Sequence, residues 1–160
     1  MGVSIIIPTL SVEATLPATL LSIHAAEEII VVDGGSQDAT LRLARAGGAR
    51  VVETALGRGR QMHAGAEAAT QDWLLFLHGD TILAPDWRLH VDGHVREPNA
   101  ADAAAIFRFK LDDGAWQARV LEALVALVGG VGVLHGAFAR ILHRQGRGDD
   151  EDFLEAVVAL

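Results

Sequence analysis

The sequence predicts a single α/β domain built on a mostly parallel sheet, and three observations predict it. Short β-branched runs recur along the chain, each is followed by a stretch of helical periodicity, and Gly-, Pro- or Asp-containing punctuation separates the two. The length of 160 residues suits one domain. The elements follow in order. Val3 to Ile7 is a buried strand that Pro8 is expected to end. Val12 to Ala26 reads as a helix with Pro17 near its first turn. Ile29 to Val32 is a second buried strand, closed by Asp33-Gly34-Gly35. Ser36 is then an expected N-cap for a helix running to about Ala46, with Asp38 in its first turn. Gly47-Gly48 stop that helix, and Arg50 to Glu53 form a third strand.

The alternation continues through a Gly57–Gly59 loop, a helix from Gln61 to Thr70, and a strand from Trp73 to Leu77 ending in His78-Gly79-Asp80. Pro85 opens a helix reaching about Glu97. Ala103 to Leu111 and Phe138 to Leu142 read as further strands, and Glu151 to Leu160 as a last helix. Trp116 to Val128 is helical with apolar residues around most of its circumference, which requires burial or a partner surface.

Composition narrows the function classes. Hydrophobic residues are 51% of the chain and charged residues 21%, which excludes disorder. Thirteen Lys and Arg against 21 Asp and Glu leave a net charge of −8, without the basic footprint of a nucleic-acid binder. An anionic ligand must then be held locally, by a few arginines, backbone N–H groups or a metal. No cysteine is present, so disulfides, thiolate nucleophiles and Cys-ligated metals are excluded, which fits a cytoplasmic protein. The longest uncharged apolar run, Ala123 to Leu134, is well short of the roughly 20 residues a membrane span needs. The N-terminus has no basic stretch of the kind that begins a signal peptide.

In open α/β sheets, ligands bind outside the carboxyl ends of the strands. Thr9 follows the first strand, Asp33 the second, and His78 with Asp80 the fourth. One acid there can accept hydrogen bonds from a base or ribose, and another can ligate Mg²⁺ or Mn²⁺ beside phosphate oxygens. Each Asp-Gly pair taken alone also suits a plain turn. Gly57-Arg58-Gly59-Arg60-Gln61 supplies cations and close backbone approach at a helix N-terminus, where an anion is favoured. Gly57-x-Gly59 with Asp80 further on also imitates a dinucleotide-binding fingerprint, but Met62 stands where its third glycine belongs. Of the histidines, His78 is singled out by its place two residues before Asp80. His63 lies on the helix after the Arg-Gly loop and is a weaker candidate for the cleft, while His90 and His94 share a helix face without a third ligand.

Four segments, in order and at matching spacing, resemble family 2 glycosyltransferases of the GT-A fold. They are Ser4–Leu10, Val31–Thr40, Gly57–Met62 and Leu75–Thr81, and within the family they are most similar to a small bacterial branch described as radical-SAM/selenodomain-associated. The resemblance implies a Rossmann-like GT-A domain over residues 1–160, with a nucleotide-sugar-binding half (1–83) and a shortened acceptor half (84–160). It implies a metal-dependent, inverting transfer of sugar from a nucleotide-diphosphate-sugar donor to an acceptor that the sequence does not name. Pro8, Thr9, Leu10 and Asp33 would contact the nucleoside, and Arg58, Arg60, His78 and Gly79 would complete the donor site. Asp80 would match the metal-binding acid of the Asp-x-Asp motif, with His78 in place of its first Asp. Asp152, with Glu151 second, would be the catalytic base. The chain departs from the family in having Ser11 and His63 where Asn is usual, and Ala39 where Gly is common. The alternative is a catalytically degenerate nucleotide-binding or protein-interaction domain of the same fold. Self-association is expected from the apolar Trp116–Val128 stretch.

Overall fold

A computed structural model describes residues 2–102, 105–106 and 140–143. Within these, β1 (Val3–Thr9), α1 (Leu16–Ser22), β2 (Glu28–Asp33), α2 (Thr40–Ala46), β3 (Arg50–Glu53), α3 (Arg58–Ala68), β4 (Trp73–Phe76) and α4 (Trp87–Val95) alternate as the sequence predicts. A 3₁₀ turn (Ala100–Asp102) leads to β5 (Ala105–Ile106), and β6 is Arg140–His143. The sheet order is β3-β2-β1-β4-β6-β5. The first four strands pair in parallel, while β6 runs antiparallel to both β4 and β5.

Alternation along each strand builds two cores. Val3, Ile5 and Ile7 of β1, Val31 of β2 and Trp73 and Leu75 of β4 share a cluster with Leu16 and Leu20 of α1, Ala44 of α2 and Trp87 and Val91 of α4. On the opposite face, Ile6, Ile30, Val32, Leu74 and Phe76 pack with Met62 and Ala66 of α3. Strands covered on both faces carry continuous apolar runs, which is why β1 and β2 read as buried from their composition. Full burial of side chains such as Ile5, Ile6 and Ile7 stabilises the fold by about 1.5–3 kcal/mol each.

Several boundaries move, each for a local reason. Pro8 does not end β1, which continues to Thr9 in register with Asp33. Thr9 turns its carbonyl to Gly34 on the β2 side and Ile6 turns its own to Leu77 on the β4 side. By alternation Pro8 faces the β4 side, where pairing has stopped at Ile6–Phe76, so its missing N–H forfeits no ladder bond. The first helix is shorter than expected, because residues 12–15 form a turn in which the carbonyl of Val12 accepts from the N–H groups of Thr15 and Leu16. Ser36 does not cap α2. Its hydroxyl is taken by Asp33, and α2 starts at Thr40, leaving Asp38 outside the helix. In contrast α3 begins early, so Arg58 and Arg60 occupy its first turn rather than a loop. Of the expected strands Ala103–Leu111 and Phe138–Leu142, the described residues show β5 (Ala105–Ile106) and β6 (Arg140–His143), and the remaining positions of both lie outside the described residues. The helices expected at Trp116–Val128 and Glu151–Leu160 lie outside the described residues.

The topology also places a crevice. The chain winds from β1 through β2 to β3, then returns so that β4 lies on the other side of β1. The loops after β1 and β4 therefore diverge at a switch point, where α/β sheets bind ligands.

Candidate functional site

A cavity of about 310 Å³ opens at that switch point. Pro8, Thr9, Leu10 and Val12 line it from the end of β1, His78, Gly79 and Asp80 from the end of β4, and Leu56, Arg58 and Gln61 from the start of α3. Three segments distant in sequence thus converge because parallel strands send all their carboxyl ends to one edge.

The β1 wall is held rigidly. The Thr9 carbonyl accepts from the Gly34 N–H at 3.0 Å and from Gln61 Nε2 at 2.8 Å, which uses both of its lone pairs. The Thr9 hydroxyl donates to Asp33 Oδ1 at 3.1 Å. Asp33 itself is buried and absent from the cavity lining. Its Oδ2 accepts from the Gly35 and Ser36 N–H groups at 2.9 and 2.7 Å, and its Oδ1 takes both the Thr9 and Ser36 hydroxyls. Burial pushes this carboxyl up, but the bonds from Ser36, Gly35 and Thr9 outweigh it and hold Asp33 below its usual range. In this geometry Asp33 works from beneath the site, as the anchor of Thr9 and of the turn after β2. Ser36 extends the tie by accepting from the Ser11 N–H at 2.8 Å. Ser11 sits at φ +52°, a left-handed conformation that Asn tolerates better than Ser.

The β4 wall is anchored through backbone. The Gly79 carbonyl accepts from the Thr15 hydroxyl at 2.8 Å and the Thr19 hydroxyl at 3.1 Å, and the His78 carbonyl accepts from the Thr81 N–H at 3.2 Å. These bonds close a turn that presents His78 and Asp80. Asp80 is exposed, and no protein group among the described residues bonds or pairs with its carboxylate or with the Arg58 guanidinium. Burial, and then the charge of Arg58, push His78 below its ordinary value against the opposing pull of Asp80. This favours the neutral ring, which has a lone pair to offer.

This donor set fits a divalent cation held jointly with a ligand. No group of three or more His, Asp or Glu side chains gathers among the described residues. Magnesium, however, is usually held by one or two carboxylates with water and substrate phosphates completing the shell. Asp80 and His78 offer two protein donors beside open cavity, and Arg58 stands at the N-terminal end of α3, where the helix dipole adds to its attraction for an anion.

Arg60 lies in the same turn but does not line the cavity, and it is exposed. His63 likewise stays outside the lining and lies 3.6 Å from Glu67. His90 pairs with Asp86 at 3.2 Å, and His94 meets the edge of Trp73 at a ring separation of 5.9 Å. Asp152 and Glu151 lie outside the described residues. Among these, no helix is long and apolar enough to cross a membrane.

Sequence reasoning missed Gln61 as a site residue. It lies with Met62, Gly65 and Ala66 on the buried stripe of α3, and a polar residue on such a stripe was the available signal. Gly65 takes the close-approach role that the fingerprint comparison had sought at Met62. A Cβ added there would collide with Ile6 Cγ2 and stand 3.0 Å from Val32 Cγ2.

Residues 4–147 match the family described as Glycosyl transferase family 2. A PGL/p-HBAD biosynthesis glycosyltransferase of Mycobacterium bovis is 44% identical over 91 residues, covering 50% of this chain and 36% of that protein. An uncharacterized glycosyltransferase of Mycobacterium bovis is 39% identical over 80 residues, covering 49% of this chain and 37% of its own length. Among solved structures, glucosyl-3-phosphoglycerate synthase of Mycobacterium tuberculosis is 26% identical with a TM-score of 0.62, covering 86% of this chain and 56% of that one. The same synthase has been solved with uridine diphosphate, and with Mg²⁺ and uridine diphosphate together. The chain thus spans about a third of the curated relatives' length and about half of the solved synthase.

Proposed function

The chain belongs to glycosyl transferase family 2, and on that premise we propose that it transfers a sugar from a nucleotide-diphosphate-sugar donor to an acceptor hydroxyl, with inversion and with Mg²⁺ or Mn²⁺. The observation that carries the reading is the single cavity shared by the ends of β1 and β4 and the first turn of α3. Pro8, Thr9 and Leu10 form the nucleoside end, and Asp33 belongs to it by fixing Thr9 from below. Arg58 and Gly79 face the diphosphate, and Arg60 adds positive field at the rim of the same helix turn. Asp80 and His78 would hold the metal, which when bound would neutralise charge on the departing diphosphate. Asp152, with Glu151 second, is the proposed base that takes the proton from the acceptor hydroxyl. The His78-Gly79-Asp80 motif supports the finer affinity to the radical-SAM/selenodomain-associated branch. We extend the proposal to self-association, which light scattering on the purified protein checks.

A thermal-shift screen of nucleoside diphosphates with and without divalent metal tests the reading. The expected outcome is a stabilisation that needs both nucleotide and metal and that disappears in Asp80→Ala. No metal-dependent shift with any nucleoside diphosphate would sink it. Donor hydrolysis lost in Asp152→Asn supports the assigned base, and the product's anomeric configuration reports inversion. Nucleotide binding without hydrolysis or transfer favours the degenerate-domain alternative.

A further inference from the structure

We propose that Gln61 reads the nucleobase, its Oε1 accepting a hydrogen bond from a ring N–H of the donor nucleotide. The inference rests on the nucleotide-binding reading above and adds which base that site takes. Gln61 is 4% exposed, yet it lines the cavity. Its amide has one possible orientation, because Nε2 donates to two backbone carbonyls, Thr9 O and Val32 O, each at 2.8 Å. Turning the amide over would set its oxygen against both carbonyls, so the tertiary structure determines which end is the acceptor. No donor among the described residues reaches Oε1. A ring seated in the cavity takes Oε1 out of water, and an acceptor desolvated without a partner costs about 1–3 kcal/mol, so a ligand that supplies the donor is favoured over one that does not.

The surroundings select the kind of donor. Asp33, the acid placed to accept from a base, already has both oxygens engaged by protein groups. Leu10 and Leu56 are 46% and 62% exposed at the cavity, apolar surface that the face of a planar ring would cover. Gln61 stands over the β1–β2 end of the site and Asp80 beyond the β4 end. A ligand engaging both is elongated, with a ring that donates at one end and an anionic, metal-seeking group at the other. Uracil (N3–H) and guanine (N1–H) present such a donor. Cytosine and adenine present a bare ring nitrogen there, an acceptor facing an acceptor.

Calorimetric titration with uridine, guanosine, cytidine and adenosine diphosphates, all with Mg²⁺, tests this. Uridine or guanosine diphosphate is expected to bind at least tenfold tighter than the cytidine and adenosine forms. Methylation of that ring nitrogen is expected to remove the advantage in the wild type. In Gln61→Met, methylated and unmethylated ligands should bind alike. Should that variant not fold, the methylated and unmethylated ligands on the wild-type protein still decide. Equal binding of the methylated nucleotide, or equal or tighter binding of the cytidine or adenosine form, overturns the role of Gln61 while leaving nucleotide binding intact. No binding by any of the four overturns the underlying reading as well.

Discussion

Replacing Asp33 by Ala removes a carboxylate that accepts four hydrogen bonds, and the structure shows which donors are then stranded. Gly35 is exposed, so its N–H turns to water, and the Thr9 hydroxyl can fall back on Val32 O at 3.4 Å. The N–H and hydroxyl of buried Ser36 have no such recourse. Two buried donors left unmet cost about 1–3 kcal/mol each, so Asp33→Ala is expected to lose about 3–4 kcal/mol. For a chain of this size that lowers Tm by roughly 10 °C. Asp33→Asn behaves differently. Its oxygen can take the two N–H groups that Oδ2 now holds, and its amide can donate to two hydroxyls, which reverse their roles. Only charge assistance is lost, about 1 kcal/mol. Urea denaturation of the three proteins at neutral pH checks the ranking. The pH dependence supplies a second test. The folded-state pKa of Asp33 is depressed, so its contribution is present above the unfolded value of about 3.9 and lost as pH falls through the lower folded value. The gap between wild type and Asp33→Asn should accordingly close in that acid range. An Asp33→Ala variant within 1 kcal/mol of wild type, or an Asn variant as unstable as Ala, refutes the anchoring role.

Three further outcomes follow from local geometry. Gly65→Ala should destabilise by about 1–3 kcal/mol because the added methyl meets Ile6 and Val32 in the sheet, whereas Gly93→Ala, with nothing within 4 Å, should stabilise α4 by about 0.5–1 kcal/mol in the same thermal melts. Arg88 bonds to Glu27 at 2.6 Å and to Asp92 at 3.0 Å, and the Arg88 bond above all holds the Glu27 carboxyl down at about 2. Arg88→Gln should cost about 1 kcal/mol at neutral pH, since the pair is partly exposed, and the cost should fade between pH 4.5 and 2 as Glu27 protonates in acid-unfolding curves. Ser11→Asn, which suits φ +52° better, should raise Tm by a degree or two, read by scanning calorimetry.

How much of the site was legible beforehand depended on the kind of interaction. That Thr9, His78 and Asp80 line one cavity is legible because each stands where an apolar run stops, and parallel strands bring such ends together. Arg58 lines the cavity as its Gly-rich segment suggests, although that segment is the first turn of α3 rather than a loop. The role of Asp33 was less legible: an acid after a strand can face ligand or fold back, and only the positions of Ser36 and Thr9 decide which. Gln61 was passed over because hydrogen bonds to Thr9 and Val32 span 52 and 29 residues. No local pattern records them.

By itself the sequence determined the α/β alternation, the two-faced apolar strands and the strand-end positions of the polar groups, because periodicity and punctuation are local properties of the chain. The tertiary structure decided the 3-2-1-4 order of the parallel strands, the side of β1 toward which Pro8 turns, and which end of Gln61 is left to accept. Those choices depend on which backbone groups already have partners across the sheet, and hydrogen-bond capacity is filled only when distant segments meet.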